Sequence, residues 1–402
     1  MKDTKQIIAE RINRLAESET IAMAKKAREI TALGHNVVKL NFGEPDFYTP
    51  EHIKEAAKKA IDDNFSFYTP VAGIPELRKA IAEKLKRDNQ LDWKAENIIV
   101  STGAKQTIAN AIMTLINPDD EVIVFAPYWV TYKEIIKLAE GKMVLIEAGV
   151  ENGFKVTPEQ LKNAITPRTK AILYSSPSNP TGAVYTRKEL EALAEVLIPH
   201  ENIYIIADEI YEYISFLEEP YFSIGAIDGL KERTITVNGY SKGFAMTGWR
   251  VGYMAAAKWI VDACDKLQGQ FTSATCSIAQ KAALAATEGS LESVKEMTAI
   301  YKHRRSLMLE ELKQIPHIKT YIPDGAFYIF PDVSAYFGKK FNDTVIKNSE
   351  DLCMYLIEEM HVALVSGAAF GMDNCIRISY AASDETLKEA VKRIKEGLAK
   401  LQ

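Results

Sequence analysis

Five groups of residues able to do chemistry each follow a short apolar run. Gly103-Ala104-Lys105 follows residues 98–102, Tyr128-Trp129 follows 121–126, and Ser178-Asn179-Pro180-Thr181-Gly182 follows 171–175. Asp208-Glu209-Ile210-Tyr211 follows 203–207, and Gly239-Tyr240-Ser241-Lys242 follows 234–237. Together they hold an amine, a carboxylate, an amide, phenols and a hydroxyl, with the Arg250 guanidinium close behind Lys242. An amine becomes nucleophilic when its surroundings disfavour its charge, and Arg250 is a candidate for that neighbour. Amides at a helix start favour anions, which suits Gly103-Ala104-Lys105. Each group alone is a weak signal, since an isolated lysine is most often a solvated loop residue and such an aspartate a helix cap, but five on one edge mark a site.

Other chemistries are set aside. Gly243 and Gly248 have the spacing of a P-loop, but Trp249-Arg250 stands where Lys-Ser/Thr is required. No G-x-G-x-x-G follows a strand, and the six histidines show no zinc spacing, so no metal site is expected. A G-x-S-x-G elbow is also read as missing, and ATPase, dehydrogenase, zinc hydrolase and serine hydrolase readings fall away. Net charge is 49 − 54 = −5, too mild for a nucleic-acid partner or a polybasic membrane surface. No uninterrupted apolar stretch of about 18 residues predicts a membrane span. Cys264, Cys276, Cys353 and Cys375 are too few to form a disulfide framework, and residues 1–6 are polar. A cytoplasmic location is expected.

The elements that must position these groups are legible. A chain of 402 residues implies two or three domains, or a large one with a smaller one. Candidate strands lie at 98–102, 121–126, 143–147, 171–175, 203–207, 234–237 and 251–255. Several are nearly continuous apolar runs, as strands covered on both faces require. Helical patterns alternate with them. Leu77, Ala80, Ile81 and Leu85 recur at helical spacing, and 107–116 ends at Asn117-Pro118. Thr157-Pro158-Glu159-Gln160 and Thr186-Arg187-Lys188-Glu189 read as capping boxes. Alternating strands and helices predict an α/β fold with a mainly parallel sheet. Ligands bind such sheets outside the carboxyl ends of the strands, where the five groups fall.

The ends of the chain read differently. Helix-like sequence opens it, and helix 349–360 mixes with short strands at 326–330 and 376–380 near the close. The expected organisation is an arm and part of a small domain over 1–47, a large domain over 48–310, and a small α+β domain over 311–402. One long helix around 285–315 is expected to connect them.

The segment Asn238-Gly-Tyr-Ser-Lys242-Gly-Phe-Ala-Met-Thr-Gly-Trp-Arg250-Val-Gly-Tyr253 resembles the cofactor-lysine motif of class I aminotransferases, pyridoxal-phosphate enzymes of fold type I. The resemblance is to the bacterial branch of the aspartate aminotransferases. Asn41-Phe-Gly43-Glu-Pro-Asp-Phe47, Tyr68-Thr-Pro-Val-Ala-Gly73-Ile-Pro75, Ser175-Ser-Pro-Ser-Asn179-Pro-Thr-Gly182, Asp208-Glu-Ile-Tyr211 and Ile376-Arg377-Ile-Ser-Tyr380 match in family order across nearly the whole chain. The fold implied is a large domain with a mainly parallel seven-stranded sheet plus a smaller α+β domain.

The resemblance assigns roles that suit the residue types. Lys242 is the Schiff-base lysine of pyridoxal 5'-phosphate and the proton shuttle. Asp208 pairs with the pyridine nitrogen and keeps it protonated, since an opposite charge favours the charged form. Tyr211 and Asn179 donate to the phenolic oxygen, and Pro180 stiffens the Asn179 backbone. Gly103, Ala104 and Lys105 amides, the Ser241 hydroxyl and Arg250 hold the phosphate. Many relatives carry serine where Gly239 stands, so one hydroxyl donor is expected to be missing. Trp129 stacks on the ring with Ile210 opposite, and Tyr128 is expected to be exposed beside it. Arg377 clamps the substrate α-carboxylate, completed by Gly43.

The implied activity is a ping-pong transamination of aspartate with 2-oxoglutarate. Alternatives are aromatic, alanine, kynurenine or prephenate transamination, a carbon–sulfur lyase, or a ligand-binding regulator. Regulators on this fold carry an N-terminal DNA-binding module, and here the match begins by about residue 41. Tyr68 resembles the tyrosine that crosses to the partner's phosphate, which implies a homodimer with shared sites. The stretch 268–276 lacks the arginine that reads a second carboxylate in the animal-type branch. Lys105 is expected to replace it.

Overall fold

The computed structural model describes residues 7–17 and 19–402; the polar opening segment 1–6 lies outside the described residues. After the two-residue strand β1 (Val38–Lys39), seven strands form the central sheet. They are β2 (Ile98–Ser101), β3 (Glu121–Ala126), β4 (Lys142–Glu147), β5 (Thr169–Ser175), β6 (Tyr204–Asp208), β7 (Thr234–Gly239) and β8 (Gly252–Ala255), in the order β2-β8-β7-β6-β5-β3-β4. β8 is antiparallel to both neighbours. The other four pairings are parallel.

Period-two alternation distributes the apolar runs to two helical layers. Val122 and Val124 pack with Ile108, Ile112, Tyr132 and Ile260 on one face. Ile123 and Phe125 pack with Leu161, Leu190 and Leu193 on the other. Every residue of β2, β3, β7 and β8 is buried, so no polar face marks these strands in the sequence. Both capping boxes are present: Thr157 with Gln160, and Thr186 with Glu189.

Several boundaries shift. The helix expected from 107 starts at Gly103, so its first turn is the Gly-Ala-Lys group itself. β6 extends to Asp208, which makes that carboxylate the last strand residue rather than the start of a loop. The long connecting helix is two, Ser277–Glu288 and Glu292–Leu312. Between them Gly289 is extended, and a Cβ there would lie 2.6 Å from both the Ala285 carbonyl oxygen and a ring nitrogen of His52. That packing leaves no space for a side chain at the break.

Both ends of the chain meet in one further core. β1 pairs in parallel with β12 (Val362–Ala363). A three-stranded sheet joins β13 (Val365–Ser366), β14 (Ile376–Ser379) and β9 (Tyr328–Ile329), while β10 (Lys340–Phe341) and β11 (Thr344–Val345) form a separate hairpin. Met23, Ala27 and Ile30 from the helix Glu19–Ala32 join Leu352, Leu356, Leu387 and Ile394 in that core. Ile210 and Tyr211, just after β6, belong to the same cluster. The segment carrying Asp208 is therefore gripped from both sides.

That segment has a second anchor. The buried Lys84 ammonium donates to Glu212 and, at 2.8 Å, to Asn89 Oδ1, and Asn89 Nδ2 donates to Glu212 Oε2 at 2.7 Å. Lys84 is only 2% exposed, so removing it strands a carboxylate without water or a cation. Lys84→Met should cost about 3–5 kcal/mol. Adding Glu212→Gln should recover part of the loss. Denaturant titration checks both; an unchanged midpoint for Lys84→Met would show that the pair does not hold this segment.

Candidate active site

A cavity of about 470 Å³ opens beyond the carboxyl ends of the parallel strands. Twelve of the sequence-selected residues line it: Gly43, Ala104, Lys105, Trp129, Asn179, Asp208, Ile210, Tyr211, Ser241, Lys242, Arg250 and Arg377. Three lie elsewhere. Gly103 sits just beneath Arg250, and Tyr68 is 98% exposed on the single chain. Tyr128 is buried, contrary to the exposure expected, because its ring packs against Gly371.

Asp208 ends β6, between Ser175 of β5 and Val237 of β7. Oδ2 accepts the Tyr132 hydroxyl at 2.6 Å, and Oδ1 accepts the Ile210 amide at 3.3 Å. Burial raises its pKa to about 6, although both bonds and Lys242 act the other way. Burial and Asp208 hold the Tyr132 hydroxyl well above its usual range, so it stays a donor. Asp208 is thus a fixed, desolvated acceptor. The next side chain, Glu209, instead accepts from Ser223 at 2.6 Å.

Lys242 donates to the Gly43 carbonyl. Its pKa falls to about 8, through burial first, then Arg377, with Arg250 adding to the shift and Glu44 opposing it. The sequence singled out Arg250 for this effect; desolvation and Arg377 outweigh it.

Arg250 has positive φ and donates from Nη1 to the Thr247 carbonyl at 2.8 Å. A Cβ on Gly103 would lie 2.3 Å from Arg250 Nη2, so only glycine lets the guanidinium lie against the helix start. The first amides of the helix Gly103–Leu115 and this guanidinium together make an anion cradle. Gly239 has a similar reason. A Cβ there would lie 2.9 Å from both the Gly252 Cα and the Val251 carbonyl oxygen of the neighbouring strand segment, so a serine has no room without a shift of backbone.

Arg377, buried on β14, donates from Nη2 to the Asn41 carbonyl at 2.7 Å and from Nη1 to Asn179 Oδ1 at 3.0 Å. Its Nε has no hydrogen-bond partner, and burial pushes the guanidinium below its usual range. With Asn179 Oδ1 engaged, its Nδ2 remains the donor. Lys105 sits over the Trp129 ring, 5.1 Å from the centroid, and burial followed by Arg250 lowers its pKa. Across the lining, five cations (Arg28, Lys105, Lys242, Arg250 and Arg377) face two carboxylates (Glu44 and Asp208). The cavity seeks anions and keeps one carboxylate inside.

The chain matches the aminotransferase class I and II family over residues 35–394. It belongs to that family. An aspartate/prephenate aminotransferase from Cereibacter sphaeroides is 46% identical over 389 residues, covering 96% of this chain and 97% of that protein. A bifunctional aspartate aminotransferase and glutamate/aspartate-prephenate aminotransferase from Petunia hybrida is 44% identical, covering 98% of this chain and 83% of that one. Among solved structures, the aspartate aminotransferase of Rhizobium meliloti superposes with a TM-score of 0.95 at 42% identity, over 98% of this chain and 99% of that one. The Thermus thermophilus enzyme with maleate gives 0.91 at 41%, over 97% and 99%. The architecture of this aminotransferase is fold type I, as the motifs implied.

Sequence reasoning missed several residues of the aminotransferase site. Tyr132 sits on a helix and carries no motif signal; only tertiary packing brings its hydroxyl to Asp208. Tyr328, Asn41, Glu44 and Thr247 also line the cavity, with Arg28 from the helix Glu19–Ala32. Gly239-Tyr240-Ser241-Lys242-Gly243 spells G-x-S-x-G, so a serine hydrolase cannot be set aside for want of that pattern. Geometry sets it aside instead. No histidine lines the cavity with Ser241, so the Ser–His pairing of such hydrolases is absent from it.

The depressed Lys242 pKa has a readable consequence. Cyanate labels neutral amines, so in the cofactor-free protein labelling at Lys242 should rise with pH and level off above about pH 8. Surface lysines should keep rising towards about pH 10.4. Peptide mass analysis across pH separates them. A Lys242 profile matching the surface lysines would contradict the desolvated site.

Proposed function

We propose that this aminotransferase uses pyridoxal 5'-phosphate to exchange amino groups between aspartate and 2-oxoglutarate. The observation that carries the reading is one anion-seeking cavity holding a desolvated carboxylate, Asp208, and an amine of lowered pKa, Lys242. These groups fit the cofactor. The Gly103 cradle, which a Cβ would fill, suits a phosphate with Arg250, Ser241 and the amides of Gly103, Ala104 and Lys105. Asp208 suits a protonated ring nitrogen, because its burial makes a cationic partner favourable. Tyr211 and Asn179 are the donors for the phenolic oxygen, and Trp129 and Ile210 are apolar walls for the ring faces.

When bound, the cofactor supplies the electron-withdrawing ring that accepts the electron pair of the substrate α-carbon. The chain's own residues bind and move protons. Arg377, with Nε unengaged, takes the α-carboxylate, and the Gly43 segment closes that pocket. The Lys242 amine removes the α-proton and redelivers it, a task suited to a base with pKa about 8. Tyr68 reaches the phosphate of a second copy, making the active form a homodimer; its almost complete exposure on the single chain supports this.

Lys105 reads the second carboxylate. It and Arg28 are the cavity cations left over once Arg250 is assigned to phosphate, Arg377 to the α-carboxylate and Lys242 to chemistry, and Lys105 is the one that sits over Trp129. The maleate bound by the Thermus thermophilus neighbour is a dicarboxylate, which agrees. The names of the C. sphaeroides and Petunia relatives favour a second substrate, prephenate, whose acidic groups Lys105 does not exclude.

The test is a half-reaction screen. The cofactor-loaded protein is mixed with aspartate, glutamate, a neutral amino acid and, after amination, prephenate, and loss or return of visible absorbance is followed. Aspartate should react fastest. In Lys105→Ser its kcat/KM should fall by about 1.5–3 kcal/mol, as for a lost bond to a charged group, with the neutral substrate barely changed. Equal losses for both would assign Lys105 to the cofactor and remove the acidic-substrate reading.

A further inference from the structure

Tyr328 stands where three groups of the site meet. It opens β9 and pairs with Ser379 of β14, two residues past Arg377. Its hydroxyl lies 2.7 Å from the Tyr211 hydroxyl. Its ring lies against Arg377, 4.6 Å from centroid to guanidinium carbon. A Cβ on Gly43 would approach the Tyr328 hydroxyl oxygen to 2.7 Å, so the glycine is what lets that segment cross the tyrosine so closely.

The two hydroxyls are buried, and among the described residues neither has another hydrogen-bond partner. A phenol has one proton to give. Once Tyr211 gives its proton to a ligand oxygen in the cavity, the proton in the shared bond must come from Tyr328. Burial keeps the Tyr328 proton in place, while the adjacent Arg377 polarises it in the donating direction. Hydrogen bonds in a chain strengthen one another in a low-dielectric site.

We propose that Tyr328 is a positioning residue for the transamination, its hydroxyl donating to Tyr211 and thereby fixing and strengthening the bond Tyr211 gives to the cofactor's phenolic oxygen. This rests on the cofactor reading above. The polarity of the chain is fixed: Tyr328 to Tyr211 to cofactor oxygen. A bond to that oxygen favours the form in which its negative charge is least compensated, which is the deprotonated form of the Lys242-bound chromophore. Weakening the chain must therefore raise the pH midpoint of the visible absorption change.

The experiment titrates the absorbance of cofactor-loaded wild type, Tyr328→Phe, Tyr211→Phe and the double variant. Phenylalanine keeps the ring against Arg377 and removes only the hydroxyl. Tyr328→Phe should raise the midpoint by about half to one pH unit, a factor of about 3–10 in the proton equilibrium. Tyr211→Phe should raise it further, and the double variant should match Tyr211→Phe alone, because Tyr328 acts through Tyr211. An unchanged midpoint in Tyr328→Phe, or the same added shift in the Tyr211→Phe background, would overturn the inference while leaving the cofactor reading intact. A wild type with no visible chromophore would overturn both. Should Tyr328→Phe fail to fold, 3-fluorotyrosine at position 328, a stronger donor of nearly the same size, should lower the midpoint; no movement would overturn the inference.

Discussion

A carboxylate removed from water is tolerated only where hydrogen bonds or an opposite charge offset its desolvation. Asp208 imposes that constraint at the centre of this molecule. The Tyr132 hydroxyl and the Ile210 amide satisfy it in part, yet its pKa is still raised to about 6. A cationic partner at this position would therefore be favoured. Much else in the fold serves to hold Asp208. β5 and β7 flank the strand that ends in Asp208, the Lys84–Glu212–Asn89 cluster anchors the turn behind it, and Ile210 and Tyr211 are packed into the core shared by the two chain ends.

The opposite wall is assembled from distant parts of the chain. Asn41 and Gly43 accept from Arg377 and Lys242, while Thr247 donates to Glu44. Asp46 continues the strap to Arg304 on the helix Glu292–Leu312, at 2.8 Å. One short segment thus touches Lys242, Arg377 and the helix Glu292–Leu312. That strap ties the part carrying Arg377 to the segments carrying Lys242 and Arg304.

Much of this was legible in the sequence, for identifiable reasons. β3, β5 and β7 are buried on both faces, so their apolar runs announced a covered parallel sheet. Lys242, Asp208, Asn179 and Arg377 sit in short motifs whose order along the chain is itself informative. What escaped notice depends on approach between segments far apart in sequence. The break at Gly289 is set by His52 and the preceding helical carbonyl, and the glycine at 239 by the backbone of the adjacent strand. Tyr132 and Tyr328 look like ordinary core aromatics until the fold brings their hydroxyls to Asp208 and Tyr211. The source of the Lys242 shift was legible only in part: Arg250 contributes, but burial and Arg377, which outweigh it, are not local to its sequence neighbourhood.

The account turns on Asp208 holding a protonated ring nitrogen. The most direct measurement is the ¹⁵N chemical shift of ring-labelled pyridoxal 5'-phosphate bound to the protein at pH 8, in wild type and in Asp208→Asn. The account predicts a protonated nitrogen in the wild type and a neutral one in the variant. A neutral nitrogen in the wild type, or a protonated one in both proteins, would contradict it.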